Sequence, residues 1–292
     1  WVDETIDEFG EDSAFVVARV FADFPRSLGQ KVIPLTWIEL ACEPDHEPAA
    51  GTWVRLGADI ASDGGDEFVI ARAIGSSVTI EHRSSGAQNA DPTVVAGTIL
   101  RHIREACEVR ERVGEERPVQ CKIDASGMGW GVAGLVKRQA EENQLPAKVY
   151  GVRGEDKPHD ETQHKNCRSE MWWNTRRLLK PKVNAETGQI ISGGQIKFVN
   201  APQRLISQLS TVKLDDRGNS QGKIVVEPKK RSRARGVHSP DLADAVNLCL
   251  YSPPGEGPAS VERAPDTRIP LRPTDITAQG GQVIPLGPRP RR

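Results

Sequence analysis

The sequence predicts an α/β fold in which a mixed sheet, with three antiparallel strands followed by parallel strands, is flanked by helices. The first observation is an antiparallel start: apolar runs over 53–59 and 68–74 flank a Gly-Gly turn, and 77–82 continues as a third strand. The second is the alternation of helix and strand that follows, which is typical of parallel strands joined by right-handed crossovers. Together they predict the order β-β-β-α-β-α-β.

Each element of the alternating part has its own signal. The pair Asp91-Pro92 begins a long helix with apolar residues at helical spacing. A short apolar strand then ends at Asp124, and a glycine-rich turn leads into a helix over 132–142. A further strand is predicted at 147–152.

Later elements are shorter. A helix is predicted over 168–179, a strand over 196–199 and a helix over 201–209. The turn sequence at 215–219, between apolar segments, predicts a hairpin.

Composition excludes several classes of protein. The chain has 292 residues and a formal net charge of −1, so no overall positive field attracts nucleic acid, and any DNA contact must come from a local patch. Five dispersed cysteines without a CxxC pair indicate reduced thiols rather than a disulfide framework or a zinc site. No apolar run has the length of a membrane span, and there is no signal-peptide pattern.

Three acidic sites stand out against this background. Asp59 interrupts the first apolar strand, where a buried carboxylate is costly unless it is paired, and a divalent metal is a usual partner. An aspartate that merely caps the following loop is the alternative. Asp124 lies at the carboxyl end of a strand, the edge at which α/β sheets bind ligands.

The third acidic site is a late helix. His238 or Ser239 precedes a proline at the helix start, and Asp241 and Asp244 share one face. A strand, a strand end and a helix start would thus bring carboxylates together in one plausible metal constellation.

These segments carry a resemblance to a known family. The order GADIASDGGDE, KIDASGMGWGV and HSPDLADAVNL, preceded by FGEDSAFVVARVFADFP, resembles the nuclease domain of tailed-phage terminase large subunits, which has an RNase H-like fold. The resemblance covers about residues 9 to 252. It implies an endonuclease that cuts concatemeric phage DNA during packaging, with Asp59, Asp124 and Asp241 as metal ligands.

The chemistry implied is two-metal phosphodiester hydrolysis. Carboxylates without a cysteine or histidine cage favour two Mg²⁺ or Mn²⁺ ions, about 4 Å apart. Asp59 would bridge the ions, and Asp124 and Asp241 would complete one site each. Asp244 is a further ligand or an outer residue, and the choice between Asp241 and Asp244 stays open.

A dense basic run lies a few residues before these last acids. It comprises Lys229, Lys230, Arg231, Arg233 and Arg235. It is either a solvated face or a phosphate clamp beside the metals. His238 orients water or phosphate, or else serves only the start of the helix.

Two other segments could contact a ligand. The charged segment 153–165 predicts a mobile loop, in which His159 and His164 are solvated residues rather than metal or phosphate contacts. Trp172 and Trp173 could stack on bases, although core packing is the expected role of at least one of them.

The resemblance also sets the expected domains and partners. Residues 1–50 are a lead-in segment, with a helix from Asp12 or Ser13 to about Ala22, residues 51–252 are the nuclease domain, and residues 253–292 are a disordered Pro/Arg-rich tail. The chain begins with Trp1 and has no GxxxxGK[ST] loop, so we expect a fragment that lacks the terminase ATPase domain. Expected partners are double-stranded DNA, that ATPase domain, the small terminase subunit and the portal, in the cytoplasm of a bacterial host, with no membrane.

Two rival functions remain. DIASDGGD and DASGMGWG also resemble the glycine-rich phosphate loops of actin-like or sugar-kinase-like ATPases, although those proteins carry the fold twice and only one copy fits here. A packaging module that binds DNA or portal without cutting is the non-enzymatic alternative. Cleavage of supercoiled plasmid with Mg²⁺ or Mn²⁺ separates these functions.

Overall fold

The computed structural model describes residue 2 and residues 31–61, 66–184, 187–215 and 223–252. The predicted helix over 12–22, the Gly-Gly turn at 64–65, most of the hairpin turn at 215–219 and the tail at 253–292 lie outside these residues.

A six-stranded mixed sheet organises the fold. Its strands are β1 (Val54–Asp59), β2 (Phe68–Ile74), β3 (Ser77–Ser84), β4 (Val119–Asp124), β5 (Ala147–Val152) and β8 (Lys197–Phe198). The strand order is β5-β4-β1-β2-β3-β8. β1, β2 and β3 pair antiparallel, whereas β4 is parallel to β1 and β5 is parallel to β4. The predicted order of antiparallel and then parallel strands is confirmed.

Helices cover both faces of this sheet. They are α1 (Leu35–Cys42), α2 (Pro92–Arg112), α3 (Gly129–Glu142), α4 (Cys167–Leu179), α5 (Gln203–Thr211), α6 (Lys229–Ala234) and α7 (Asp241–Leu250). A separate hairpin pairs β6 (Lys182–Val183) with β7 (Ile190–Ser192). The long helix α2 begins as predicted, because Asp91 accepts a hydrogen bond from the backbone of Thr93 and Pro92 occupies the first turn. None of the described helices is both long and apolar enough to cross a membrane.

The two faces of the sheet have separate cores. Val54, Leu56 and Ala58 of β1 belong to the core beneath α2 and α3. The alternate residues of β1 point to the opposite face, against which α7 packs. Gly57 makes this packing possible, since a Cβ there would lie 2.2 Å from the carbonyl oxygen of Ala245. The glycine of the first acidic segment thus sets how close α7 approaches β1.

The described part of the lead-in segment packs on this same body. Trp37 and Ile38 of α1 lie in the core that includes α5 and α7. Ser76 donates its hydroxyl to the carbonyl of Ala49 at 2.8 Å, beside β3. Residues 31–50 therefore pack directly against the sheet and its helices.

The hairpin predicted around 215–219 is present as an antiparallel pairing of its arms. Leu214 and Val226 form an antiparallel bridge, and Asp215 donates its N–H to the carbonyl of Val225 at 2.7 Å. This pairing leads the chain into the short helix α6, which sequence patterning did not predict.

Candidate active site

Asp59 and Asp124 lie side by side at the carboxyl ends of two neighbouring interior strands of the sheet. Each is the last residue of its strand, β1 and β4, and these strands are parallel neighbours with Ala58 opposite Ile123. Asp124 accepts a hydrogen bond from the backbone N–H of Ser126 at 2.9 Å. This is the acidic edge: the ends of β1 and β4 together with the start of α7.

The helix α7 brings the remaining acids to this edge. Asp241 is its first residue, and Oδ2 of Asp241 accepts a hydrogen bond from the backbone N–H of Glu67 at 2.8 Å. Asp244, one turn later, is also buried. Carboxylates in the first turn are stabilised by the positive end of the helix dipole, which accounts for their tolerance here.

The charge of the Asp59 carboxylate is only partly compensated. Its pKa is raised well above the ordinary value, first because burial penalises the charge and then because Asp244, Asp124 and Asp241 are near it, and Lys229 only partly opposes this. Among the described residues, none donates a hydrogen bond to this side chain. The edge therefore concentrates negative charge that a bound cation would stabilise.

Asp244 has the opposite environment. Its carboxylate lies 2.9 Å from Nη1 of Arg168 and 2.9 Å from Nζ of Lys229, and it accepts a bond of 3.2 Å from Nε1 of Trp172. Burial alone would raise the pKa of Asp244, but Arg168 and Lys229 outweigh it and lower the pKa below its ordinary value. The same pairing raises the pKa of Lys229.

The two acids of α7 thus differ in how far their negative charge is compensated by neighbouring groups. Burial raises the pKa of Asp241, and the hydrogen bond from Glu67 compensates only in part. Asp244 is already neutralised by two cations. Asp241 is therefore the acid of α7 whose charge is less compensated, whereas Asp244 holds Lys229 beside Asp59.

The acids do not form a closed ligand set. Across residues 31–61, 66–184, 187–215 and 223–252, no group of three or more His, Cys, Asp or Glu side chains is arranged to hold a metal ion. The donors are nevertheless the carboxylates that Mg²⁺ and Mn²⁺ prefer, and the raised pKa of Asp59 marks a site with too little positive charge. The residues present therefore fit a divalent cation in their chemistry.

Most of the predicted basic run is paired with acids. Besides Lys229 with Asp244, the pairs are Arg231 with Asp215, Arg233 with Asp66 and Arg235 with Glu227. Lys230 and His238 are exposed, and Lys230 makes no ion pair within the part of the chain that the structure describes. These pairs anchor α6 to the fold, and they reduce the charge that the run offers to a phosphate.

Neither tryptophan of α4 is available for base stacking. Trp172 and Trp173 are 0% and 2% exposed, so the stacking alternative is wrong for both and the core alternative is right. Their burial follows from the packing of α4 against α7. Trp172 also supports the site from within, through its bond to Asp244.

The loop at 153–165 is anchored rather than free. His159 donates its backbone N–H to Glu170 Oε2 at 2.9 Å, and its ring lies 3.1 Å from the hydroxyl of Tyr251. His164 is 3% exposed and forms a bridge with Ile224, so the prediction of a solvated residue is wrong for His164. The charged composition of the loop gave no indication of its contacts with α4 and with the strand-like segment at 224–226.

Two residues of the site were missed by sequence reasoning. Arg168 is 76 residues from Asp244, and nothing near it in the chain indicates that partner. Glu67 acts through its backbone N–H, a donor that every residue other than proline has. The only available signal was the position of Glu67 immediately before a strand that pairs with β1.

Comparison with solved structures identifies the fold. The chain is similar to the nuclease domain of the large terminase subunit gp2 of bacterial virus Sf6, with a TM-score of 0.53 and 18% identity over 77% of this chain and 100% of that one. Two structures of a lysine-to-alanine mutant of that domain match equally well, one with manganese and beta-thujaplicinol and one with calcium. No protein-family model and no curated protein matches the sequence. The similarity shows that the chain has the RNase H-like fold of terminase nuclease domains, as the sequence predicted.

Proposed function

We propose that this chain is the metal-dependent DNA endonuclease of a phage packaging terminase, and that it cuts concatemeric DNA by two-metal hydrolysis. The observation that carries the proposal is the environment of Asp59. A buried carboxylate with a strongly raised pKa lies beside Asp124 and Asp241 at the edge where α/β sheets bind ligands. Such perturbed groups cluster at functional sites.

The acids divide the work by their surroundings. Asp59 would hold both ions, and Asp124 and Asp241 would complete one site each. Asp244 holds Lys229 and Arg168, so positive charge faces the acidic edge before any cation binds. Bound Mg²⁺ or Mn²⁺ would supply the charge that activates a water for attack and stabilises the leaving oxygen. The manganese and calcium structures of the Sf6 domain support the use of a divalent ion.

The partners follow from this assignment. Double-stranded DNA is the substrate, and the terminase ATPase domain, the small subunit and the portal are the proposed partners, in the cytoplasm of a bacterial host. The motifs place no recognition helix or β-ribbon at the acidic edge, and phosphate contacts carry no sequence information. We therefore expect cutting with little sequence preference.

The test is cleavage of supercoiled plasmid by the purified chain with Mg²⁺, Mn²⁺, Ca²⁺ or EDTA. Nicking and linearisation with Mg²⁺ or Mn²⁺ are expected, and Asp59→Asn should reduce the rate by at least about 100-fold, because metal-supplied charge stabilisation is worth several kcal/mol. Glu161→Ala, an exposed acid paired with Lys157, is the matched control and should cut at the wild-type rate. Cleavage by the asparagine variant at the wild-type rate would overturn the role of Asp59.

One observation favours a second candidate. Because the described acids do not form a closed metal set, a packaging module that keeps the fold and binds DNA or portal without cutting is also consistent with the structure. It predicts no cleavage with any divalent ion and no change in thermal midpoint when Mn²⁺ is added. A Mn²⁺-dependent rise in the midpoint that Asp59→Asn abolishes would favour the nuclease.

A further inference from the structure

Trp130 is the most exposed large apolar side chain among the described residues, with 75% of its surface accessible. An indole usually buries most of its area, as the other described tryptophans of the chain do to a greater degree. Trp130 is the second residue of α3, in the turn that follows Asp124. It has no structural role in the core, so its exposure calls for a different explanation.

The position of Trp130 is fixed relative to the acidic edge. The preceding residue, Gly129, lies so close to β4 that a Cβ there would be 1.9 Å from the carbonyl oxygen of Asp124. The same Cβ would be 3.8 Å from the side chain of Ile60, which follows Asp59. The first turn of α3 therefore rests against the ends of both acidic strands, and the indole projects from that turn.

Exposed glycines and two cations share the helix of Trp130. Gly131 and Gly134 are exposed, and a Cβ at either would meet only open space, so neither glycine is required by packing within the described residues. Glycine in a helix is unfavourable relative to alanine. About two turns after Trp130, Lys137 and Arg138 are exposed on the same helix. Small residues beside an aromatic ring and two cations suit the close approach of a polyanion that also presents flat, apolar bases.

We propose that Trp130 stacks on a base of the DNA strand whose phosphate lies at the acidic edge, while Lys137 and Arg138 contact neighbouring phosphates. The inference rests on the proposed nuclease function and adds a residue that positions its substrate. An indole can stack on any base, so it holds the strand without reading its sequence. Wedging of an apolar side chain between base pairs also unstacks the duplex locally.

The test is DNA binding by the 292-residue chain in EDTA, with oligonucleotides that carry 2-aminopurine. The wild-type chain should quench the 2-aminopurine, and Trp130→Ala should lose this quenching and bind about 5- to 150-fold more weakly, the range for loss of one stacked base. Trp130→Phe should keep most of the affinity and quenching. Because the indole touches no phosphate, the slope of log K against log[salt] should be unchanged in Trp130→Ala and smaller in the double variant Lys137→Gln, Arg138→Gln.

The matched control is Ile191→Ala, which shortens another exposed apolar side chain, on β7, and should bind as the wild type does. Unchanged affinity of Trp130→Ala, failure of phenylalanine to restore binding, or equal weakening by the Ile191 variant would each overturn the proposal. Circular dichroism and thermal midpoints equal to the wild type establish that Trp130→Ala is folded, as expected for so exposed a side chain.

Binding in EDTA separates this inference from the nuclease itself. If the plasmid is not cut but Trp130→Ala binds weakly and without quenching, the stacking role stands and catalysis fails. If the plasmid is cut and Trp130→Ala binds and cuts normally, catalysis stands and the stacking role fails.

Discussion

Glu67 and Asp241, 174 residues apart in the chain, are joined by a hydrogen bond of 2.8 Å from the backbone N–H of Glu67 to Oδ2 of Asp241. The carboxylate of Glu67 is itself held by Arg83 at 2.9 Å and by Arg204 at 2.8 Å. Two cations thus fix the segment that enters β2, and this segment orients the first acid of α7. Glu67 acts as a positioning residue for Asp241.

Removal of the ion pairs of Glu67 with Arg83 and Arg204 should affect catalysis more than stability. In Glu67→Ala the backbone donor remains but loses its anchors, so we expect plasmid cleavage to fall by about 10- to 100-fold, as for residues that orient metal ligands. The ion pairs are partly exposed, so the free energy of unfolding should change by about 1 kcal/mol or less. Initial rates at several Mn²⁺ concentrations measure the first effect and urea unfolding the second.

The outcome can be recognised by its metal dependence. If Glu67 orients Asp241, more Mn²⁺ should restore part of the activity of Glu67→Ala, and Glu67→Gln should lie between the alanine variant and the wild type. A loss of activity that no Mn²⁺ concentration changes, together with a large loss of stability, would mean that Glu67 serves the fold alone.

The stability of the metal-free chain should depend on Asp59 through pH. In the unfolded chain this carboxyl titrates near its ordinary pKa of about 4, whereas burial and the neighbouring acids raise its pKa in the folded state. The folded chain therefore binds the proton more tightly. The contribution of Asp59 to stability is present below about pH 4 and is lost as the pH rises through the folded-state pKa.

Asp59→Asn removes the decrease in folding stability that ionisation of Asp59 causes. In EDTA its free energy of unfolding should exceed that of the wild type by an amount that grows as the pH rises above about 4 and levels off beyond the folded-state pKa. Urea denaturation at a series of pH values measures the difference. A difference that is constant across this range would show that Asp59 does not carry the uncompensated charge.

Lys229 should compete with divalent ions for the acidic edge. Its ammonium lies 2.9 Å from Asp244 and opposes the rise in the pKa of Asp59. In Lys229→Met the acids lose this cation, so Mn²⁺ affinity measured by calorimetry should increase. Without metal the variant should be less stable by about 1 kcal/mol, below the 3–5 typical of a broken buried pair, because Lys229 is 35% exposed and Arg168 remains.

The control for this prediction is the adjacent Lys230→Met, which removes an exposed charge that has no acidic partner among the described residues. It should leave Mn²⁺ affinity and stability unchanged. Equal metal affinities for the wild type and Lys229→Met would mean that Lys229 does not occupy the electrostatic position of a metal.

The acids of this site could be predicted from the residues that immediately surround each of them in the chain. Asp124 ends an apolar run that is followed by a glycine-rich turn, and this pattern places it at the carboxyl end of a strand. Asp59 was predicted to interrupt its strand, whereas it is the last residue of β1. The pairing of β1 with β4 then brings them together without further information. The placement of Asp241 required only a helix start with a proline before it.

The counter-charges could not be predicted in the same way. Arg168 and Lys229 reach Asp244 from two other helices, 76 and 15 residues away, and a cation on a polar helix has the same local pattern whether or not it is paired. The run from Lys229 to Arg235 was therefore interpreted as a phosphate clamp or a solvated face, and neither interpretation included its ion pairs. Only the tertiary fold decides which acid each cation meets.

The anchoring contacts make a quantitative prediction about the basic run. Were all of Lys229, Lys230 and Arg231 free, their joint neutralisation would lower the salt dependence of DNA binding by about three phosphate contacts. Lys229 and Arg231 are paired with Asp244 and Asp215, so we expect a decrease of only about one contact, and Lys230→Gln alone should produce most of it. Titration of fluorescent duplex DNA at several salt concentrations measures the slope, with Ile191→Ala as the neutral control. A decrease of three contacts in the triple variant, with only a third of it from Lys230→Gln, would mean that the ion pairs open on DNA and that the whole run contacts phosphates.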